Sequence, residues 1–157
     1  MNLAEVYDHS CSLCVLSMSA TTICVSGTGN PESGAVIVGE APGSDEDRVG
    51  IPFVGASGQL LDECLEHAGA SREDVWITNA VKCHPPGNRN PSETEMNACI
   101  EYLYTECSII KPRVMLLLGN VPLKAVLGWT GITRERVVWR LQWTDWGPML
   151  VLPTFHP

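Results

Sequence analysis

Three polar side chains of different chemistry each follow a short β-branched or apolar run of the sequence, and these are Glu40, Asn79 and His156. Such runs predict buried strands. The carboxyl ends of parallel strands meet at one edge of a sheet, where open α/β sheets bind ligands. A carboxylate, an amide and an imidazole at one edge could bind a small molecule or a base and transfer a proton. The alternative is that each is an ordinary turn or terminal residue in a crossover loop.

The segment 36–58 carries most of the acidic candidates. After the run 36–38, the chain breaks at Gly39 and continues through a loop rich in glycine and proline. Helix-like sequence follows this loop, which is the arrangement expected of a strand, a ligand-binding loop and a helix. Its acids, at this point equivalent, are Glu40, Asp45, Glu46 and Asp47.

Seven cysteines form the second group of chemically active residues. Without a secretory signal, metal binding or buried thiols are better interpretations than disulfides. Four thiolates can hold a tetrahedral zinc ion or a [4Fe–4S] cluster. Alternatively, the pair Cys11 and Cys14 is a redox motif, and Cys99 is a core residue. The candidate ligands are Cys11, Cys14, Cys83 and Cys99. The other three, predicted to be buried thiols, are Cys24, Cys64 and Cys107.

Alternating strands and helices position these residues. Near-continuous apolar strands joined by helices predict a parallel sheet covered on both faces. A capping box at Ser92 begins the longest helix, which Lys111-Pro112 ends. Residues 128–147 are predicted to be irregular. The four predicted strands are 36–38, 75–78, 114–118 and 149–152, and the predicted helices are 59–68, 92–110 and 120–127.

Composition limits the function classes. The chain has 157 residues, of which 45% are hydrophobic, enough for one domain with a real core. Its net charge of −8 argues against binding nucleic acid by overall charge. No apolar run is long enough to cross a membrane, and the N-terminus does not resemble a signal peptide, so a cytoplasmic protein is expected.

The motifs together resemble a family 4 uracil-DNA glycosylase, the iron–sulfur branch of the uracil-DNA glycosylase superfamily. The resemblance runs from about Cys11 to the last residue. The segments that carry it are 39–43 (GEAPG) with Glu46-Asp47, 50–55 (GIPFVG), 78–83 (TNAVKC), 85–89 (PPGNR), Lys111-Pro112, Leu118-Gly119 and 153–157 (PTFHP).

The resemblance implies a single α/β domain over residues 1–157, a three-layer α/β/α sandwich around a mainly parallel four-stranded sheet. It implies hydrolysis of the N-glycosidic bond of deoxyuridine in DNA by a monomeric DNA repair enzyme, with single- or double-stranded DNA as partner. It also implies a structural [4Fe–4S] cluster, held by Cys11, Cys14, Cys83 and Cys99. The other three cysteines do not match cluster positions.

By the same resemblance, the base is flipped into a pocket and read there. Phe53 is expected to stack on the uracil ring. Asn79 is expected to match uracil O4 and N3–H, while cytosine would leave buried polar groups unpaired at roughly 1–3 kcal/mol each. His156 is expected to donate a hydrogen bond to O2 of the departing uracil.

Two carboxylates compete for the water-positioning role. Glu40 is slightly favoured because it stands at the strand end, and Glu46 is the alternative. Ala41 occupies the place where the best-known uracil glycosylases have an aspartate, so the carboxylate must come from elsewhere. Backbone groups of Glu40, Ala41 and Pro42 are expected to line the pocket, with Asp45 and Asp47 solvated.

Two further departures qualify the resemblance. Gly43 stands where the best-known enzymes place a tyrosine that excludes thymine, so thymine must be rejected by other groups. Family members continue past His156-Pro157 with a Leu-Leu-Arg segment and a helix. This sequence stops at Pro157, which weakens the expectation of activity on double-stranded DNA more than the expectation of a base pocket. Five cations and one neutral donor, Asn88, are expected to meet phosphates. The cations are Lys82, Arg89, Arg134, Arg136 and Arg140.

Two alternatives from other classes remain. The chain could be an iron–sulfur nucleic-acid-binding protein with impaired catalysis, or a redox protein using the pair Cys11 and Cys14. Release of uracil from an oligonucleotide separates the enzyme from the binding protein. Activity on dithiol substrates would favour the redox interpretation.

Overall fold

A computed structural model describes residues 2–157 and contains one six-stranded sheet in the order β1-β3-β2-β4-β6-β5. The four inner strands are parallel, and the two edge strands are antiparallel to their neighbours. The predicted parallel sheet of four strands is therefore confirmed at the centre. The strands are β1 (Thr28–Gly29), β2 (Ala35–Gly39), β3 (Trp76–Asn79), β4 (Val114–Leu118), β5 (Arg140–Thr144) and β6 (Gly147–Thr154).

The sequence prediction missed both edge strands. β1 is only two residues long, and its sequence Thr-Gly carries no strand pattern. β5 lies in the segment predicted to be irregular, and it pairs with β6 as a hairpin. Its exposed and half-buried residues alternate, as in an edge strand with one solvated face. One of the exposed positions carries an apolar residue, Trp143, which is 77% exposed. The sequence therefore lacks the alternation of polar and apolar residues that would predict a strand.

Helices cover both faces of the sheet and give the expected three layers. Five α-helices and four short 3₁₀ turns occur within residues 2–157. None of these helices has the length and apolar character that a membrane crossing requires. The helices are α1 (Ser44–Val49), α2 (Ala56–His67), α3 (Glu93–Ile110), α4 (Asn120–Leu127) and α5 (Ile132–Glu135), and the 3₁₀ turns are Leu3–Glu5, Val15–Met18, Arg72–Asp74 and Pro86–Asn88.

The core is divided by the sheet because successive strand residues point to opposite faces. Val36 and Val38 of β2 belong to the larger cluster, which includes Leu103 of α3. Ile37 belongs to the smaller cluster, which includes Leu61 of α2. Strands buried on both faces explain why the inner strands read as continuous apolar runs.

Helix α3 begins and ends where the sequence predicts. The Ser92 hydroxyl accepts the N–H of Glu95, and the Glu95 carboxylate accepts the N–H of Ser92, which completes the capping box. Lys111 ends the helix with a left-handed backbone (φ 53°). Asn120 begins α4, and its side chain accepts the N–H groups of Gly131 and Ile132 at the start of α5.

Helix α2 is longer and more exposed than predicted, since it begins at Ala56 rather than at Gln59. Of its two adjacent leucines, Leu61 is buried but Leu60 is 44% exposed. Cys64 is exposed, so its prediction as a buried thiol is wrong, whereas Cys24 and Cys107 are buried as predicted.

Candidate active site

A cavity of about 380 Å³ opens at the carboxyl edge of the sheet. Glu40, Asn79 and His156 all line it. The parallel register explains this convergence, because Gly39 at the end of β2 lies beside Asn79 at the end of β3. The loop after β2, the start of α2 and the segment 85–89 complete the wall. Its remaining lining residues are Ala41, Pro42, Gly43, Ser44, Asp45, Glu46, Phe53, Gly55, Ala56, Ser57, Pro85, Asn88 and Arg89.

Gly39 brings two of the lining side chains close together. A Cβ atom at this position would lie 2.4 Å from Asn79 Oδ1 and 2.4 Å from Phe53 Cζ. Such distances are far inside van der Waals contact, so any side chain would displace both groups. Glycine is therefore required here by the close approach of the amide and the ring.

Asn79 is 4% exposed, yet its side-chain amide makes no hydrogen bond within residues 2–157. Its backbone position is fixed, because the next two N–H groups, of Ala80 and Val81, donate to the carbonyls of Gly39 and Glu40 at 2.9 Å. Buried amides are normally hydrogen-bonded. A fixed, unpaired amide on a cavity wall is suited to reading the hydrogen-bonding edge of a ligand.

Phe53, which is expected to stack on the uracil ring, is largely buried and is held by the contacts of its backbone. It is 4% exposed, has a left-handed backbone (φ 56°) and packs in the smaller core cluster. Its carbonyl accepts from the Arg72 guanidinium and lies against Gly58, where a Cβ would be 1.8 Å from the oxygen. One part of the ring contacts the core while another faces the cavity.

His156 is exposed and lies over that aromatic ring. The two rings are stacked, with centroids 5.9 Å apart and planes inclined by 24°. The Nδ1 atom of His156 lies 2.9 Å from the carbonyl oxygen of Pro157, which also accepts the Ser57 hydroxyl at 3.0 Å. Ser57 thus ties the end of the described chain to the first turn of α2, a contact that the sequence analysis missed.

Glu40 is half-buried at the end of β2, and its carboxylate receives no hydrogen bond from residues 2–157. Burial raises the pKa of this carboxyl above its ordinary value, and His156 partly opposes the rise. An unpaired carboxylate of raised pKa on a cavity wall is the kind of group that can bind water or accept a proton.

Glu46 has a different environment. One of its oxygens, Oε1, accepts the N–H groups of Val54 and Gly55 at 2.8 Å each. The carboxylate therefore fixes the loop that carries Phe53. Its other oxygen, Oε2, would lie 2.6 Å from a Cβ at Gly43. A side chain at position 43, such as a tyrosine, would therefore displace Glu46.

Asp47 was expected to be solvated, and that expectation is wrong. It is buried and accepts the N–H groups of Thr21 and Thr22 at 2.9–3.0 Å. These bonds help to hold its pKa below the ordinary value although burial opposes them. Asp45 is exposed as expected and pairs with Arg48. Asp47 thus anchors the N-terminal segment to α1.

The four candidate thiols lie in one region, between the N-terminal segment and the start of α3. Burial raises the pKa of the Cys99 thiol to about 11, with smaller contributions from the Cys83 and Cys14 sulfurs. Burial likewise raises the pKa of Cys83, and Cys14 and Cys11 add to the rise. Such mutual effects require the four side chains to be near one another.

Two backbone donors point at these sulfurs. The N–H of Cys24 donates to Cys83 Sγ at 3.3 Å, and the N–H of Lys82 donates to Cys99 Sγ at 3.5 Å. Hydrogen bonds to sulfur are a common feature of thiolates that ligate a cluster. Within residues 2–157 no three donor side chains converge on the position of one metal ion.

The candidate phosphate ligands are mostly engaged elsewhere. Lys82 is fully buried and pairs with Glu106, so its predicted contact with phosphate is wrong. Arg89 forms a bidentate pair with Glu95 and lowers the pKa of that carboxyl to about 2. Asn88 Oδ1 accepts a hydrogen bond from the His84 ring, with His84 Nε2 2.8 Å away. These partners lie on the neighbouring helix or loop, where sequence spacing alone could not identify them.

The three arginines that follow α4 differ in their partners. Arg134 and Arg140 both pair with Glu135. Arg136 instead lies over the ring of Phe155, with its guanidinium carbon 4.8 Å from the centroid. Arg136 therefore packs against the residue that precedes His156 in the chain.

Comparison with known proteins agrees with this geometry. The chain is 43% identical to a type-4 uracil-DNA glycosylase of Thermotoga maritima, over all of this chain and 81% of that protein. It is 43% identical to the Pyrobaculum aerophilum type-4 uracil-DNA glycosylase, over 87% of this chain and 70% of that protein. It is 41% identical to the Archaeoglobus fulgidus type-4 uracil-DNA glycosylase, over 94% of this chain and 76% of that protein.

The family-level comparison covers most of the chain. The sequence model of the uracil DNA glycosylase superfamily matches residues 26–157. This range begins just before β1 and includes every residue that lines the cavity. The chain is therefore a member of the uracil DNA glycosylase superfamily.

Proposed function

We propose that this protein is a uracil-DNA glycosylase of the type-4 kind, which hydrolyses the bond between uracil and deoxyribose and leaves an abasic site. The observation that carries the proposal is the unpaired amide of Asn79 on the wall of the cavity, between Glu40 and Phe53. Identity of 41–43% to named type-4 enzymes supports the choice of base. A cavity of about 380 Å³ is large enough for one flipped nucleotide base.

Asn79 would select uracil through its fixed amide. The amide can accept from N3–H and donate to O4 of uracil at the same time. Cytosine presents a donor and an acceptor in the opposite positions, so it would leave buried groups unpaired. Phe53 would contribute the ring against which the base stacks, with its backbone held by Arg72 and Gly58.

Glu40 would act on the water and the sugar. As the N-glycosidic bond breaks, its electron pair leaves with the uracil, and C1′ gains positive charge. The ionised Glu40 carboxylate stabilises that charge and accepts a proton from the water whose oxygen bonds to C1′. His156 donates a hydrogen bond to O2 of the uracil anion, a type of contact worth about 3–4 kcal/mol in the transition state. Glu46 instead positions the loop of Phe53.

The four cysteines would hold a [4Fe–4S] cluster with a structural task. The donor set of four thiols, the burial of Cys11, Cys83 and Cys99, and the two N–H···S contacts fit this group. Bound there, the cluster supplies cross-links between the N-terminal segment, the loop after β3 and helix α3. No step of the hydrolysis requires it.

The test is release of uracil by protein purified anaerobically from a host that lacks its own uracil-DNA glycosylase. Single- and double-stranded oligonucleotides with one uracil are incubated with the protein and then cleaved with alkali. We expect breakage at the uracil position and none in matched oligonucleotides that carry cytosine or thymine there. Absence of breakage on both uracil substrates would contradict the proposal and favour a DNA-binding protein.

A further inference from the structure

A buried ion pair between the loop after β3 and helix α3 has no task in the chemistry above. Lys82 Nζ and Glu106 Oε2 lie 2.7 Å apart, and both side chains are fully buried. Taking two charges out of water is costly, and a buried pair is weak support for stability by itself. The contacts that Lys82 and Glu106 make with other groups therefore say more about their role than their contribution to stability does.

Glu106 gathers donors from several elements. It accepts Trp76 Nε1 at 2.6 Å and Thr78 Oγ1 at 3.1 Å, both from β3, and the hydroxyl of Tyr7 from the N-terminal segment. Lys82 Nζ also donates to Thr78 Oγ1 at 2.6 Å. The network therefore joins β3, the loop after it, α3 and the N-terminal segment.

The two ends of this network adjoin the two functional regions. Asn79 directly follows Thr78, and Cys83 directly follows Lys82. The backbone of Lys82 is held as well, because its N–H donates to Cys99 Sγ at 3.5 Å and its carbonyl accepts the N–H of Val25 at 2.8 Å. Segment 78–83 is thus fixed at both ends by one set of contacts.

We propose that Lys82 and Glu106 are positioning residues that hold the Asn79 amide and the thiols of Cys83 and Cys99 in a single frame. This inference rests on the proposed function, because it assigns Asn79 the reading of uracil. A change at the ion pair then shifts both ends of segment 78–83. Base recognition and retention of the cluster weaken together, although neither side chain touches the base.

The test compares Lys82→Met, Glu106→Gln and the double variant with Glu101→Gln, which makes the same change at an exposed position of α3. Each iron-loaded protein is assayed at a temperature where its unfolding curve shows it to be fully folded. Three quantities are measured: inhibition of uracil release by free uracil, the ratio of kcat/KM for uracil over cytosine, and the rate of iron loss to a chelator followed by visible absorbance.

We expect each single variant to weaken inhibition by free uracil by about 10-fold to 100-fold, the range typical of outer-shell substitutions. The uracil-to-cytosine ratio falls with it, and iron loss accelerates by a similar factor. Glu101→Gln matches the wild type in all three. The double variant removes both charges, so it folds even if a single variant with one unpaired buried charge does not, and it shows the same losses.

Folded variants that keep wild-type uracil inhibition and wild-type iron retention would overturn the inference. A change in only one of the two would also overturn it, because the frame is proposed to be shared. The failure of the proposed function looks different: in that case the wild-type protein itself releases no uracil.

Discussion

The imidazole of His156 covers the cavity-facing side of Phe53, with ring centroids 5.9 Å apart. A base stacked between two rings needs a centroid separation of about 7 Å, because each contact takes about 3.5 Å. Uracil therefore cannot lie between them in this arrangement. We therefore expect the imidazole to turn away from Phe53 before the base stacks.

His156→Ala should separate binding from catalysis. It uncovers Phe53, so inhibition by free uracil should stay equal or become stronger. It also removes the donor to O2, so kcat should fall by about 100-fold to 1,000-fold. Single-turnover rates and inhibition by uracil measure the two effects, and a parallel loss of both would contradict the role given to His156.

Asn79→Asp should relax the choice of base. A protonated carboxyl at this position can present its donor and acceptor to cytosine as well as to uracil, whereas the amide, in the orientation that matches uracil, presents cytosine with the wrong donor and acceptor. We expect kcat/KM for uracil to fall and release of cytosine to become detectable. Base release from matched oligonucleotides checks this, and unchanged discrimination would remove the reading role from Asn79.

Glu40 should set the acid limb of the pH–rate profile. Because burial raises the pKa of Glu40, the rate should rise with pH over a range above that of an ordinary glutamate. His156 opposes this rise in pKa, so His156→Ala should move the limb to higher pH. Profiles of kcat for the two proteins measure the shift, and Glu40→Gln should abolish the limb.

The same carboxyl should cost stability at neutral pH. Its folded-state pKa lies above the unfolded value, so between the two values the folded protein binds more protons than the unfolded chain. Stability is then highest below the unfolded pKa and falls as the pH rises through the folded pKa. Glu40→Gln should therefore raise the melting temperature at pH 7 while lowering activity. If the difference in melting temperature between Glu40→Gln and the wild type were the same at pH 4 and at pH 7, this prediction would be contradicted.

Glu46→Gln should behave differently from Glu40→Gln. An amide oxygen can still accept from Val54 and Gly55, though more weakly than a carboxylate. The expected result is a rise in KM of a fewfold with kcat close to wild type, because the loop of Phe53 loosens while the water site remains. Steady-state kinetics of the two variants decide between the carboxylates.

Cys83→Ala should remove the cluster, and Cys64→Ala should not. Cys83 is buried among the other thiols, whereas Cys64 is exposed on α2. Iron content and visible absorbance of the anaerobically purified proteins should fall in the first variant and stay at wild-type levels in the second. Zinc in place of iron in the wild-type protein would contradict the identity of the group.

The inner strands and the cavity edge were predictable because local sequence determines them. Val36, Ile37 and Val38 read as a buried strand wherever their partners lie, and the capping box at Ser92 is complete within four residues. Parallel topology then brings Asn79 beside Gly39. For these elements the local pattern and the tertiary structure agree.

The errors concern residues whose partners are distant in the sequence. Lys82 reads as an exposed loop cation, and only Glu106, on a helix that begins later, explains its burial. Asp47 has the sequence context of a solvated loop acid, but in the fold its carboxylate accepts the N–H groups of Thr21 and Thr22. Phe53 packs in a core cluster with Ile77, which is distant from it in the sequence, and its sequence neighbours do not reveal this burial. Charge and turn patterns carry no information about such long-range contacts.

The arrangement of the thiols has a consequence for synthesis of the chain. Cys11 and Cys14 are made early, but Cys99 follows Cys14 by 85 residues (positions 14 to 99). At about 5–20 residues per second, the ribosome needs roughly 4–17 s to make that stretch. During this interval the first two thiols leave the ribosome before α3 exists to shield them. Oxidation of the nascent chain would therefore act on Cys11 and Cys14 first, and a newly made protein can be damaged before its sheet is complete.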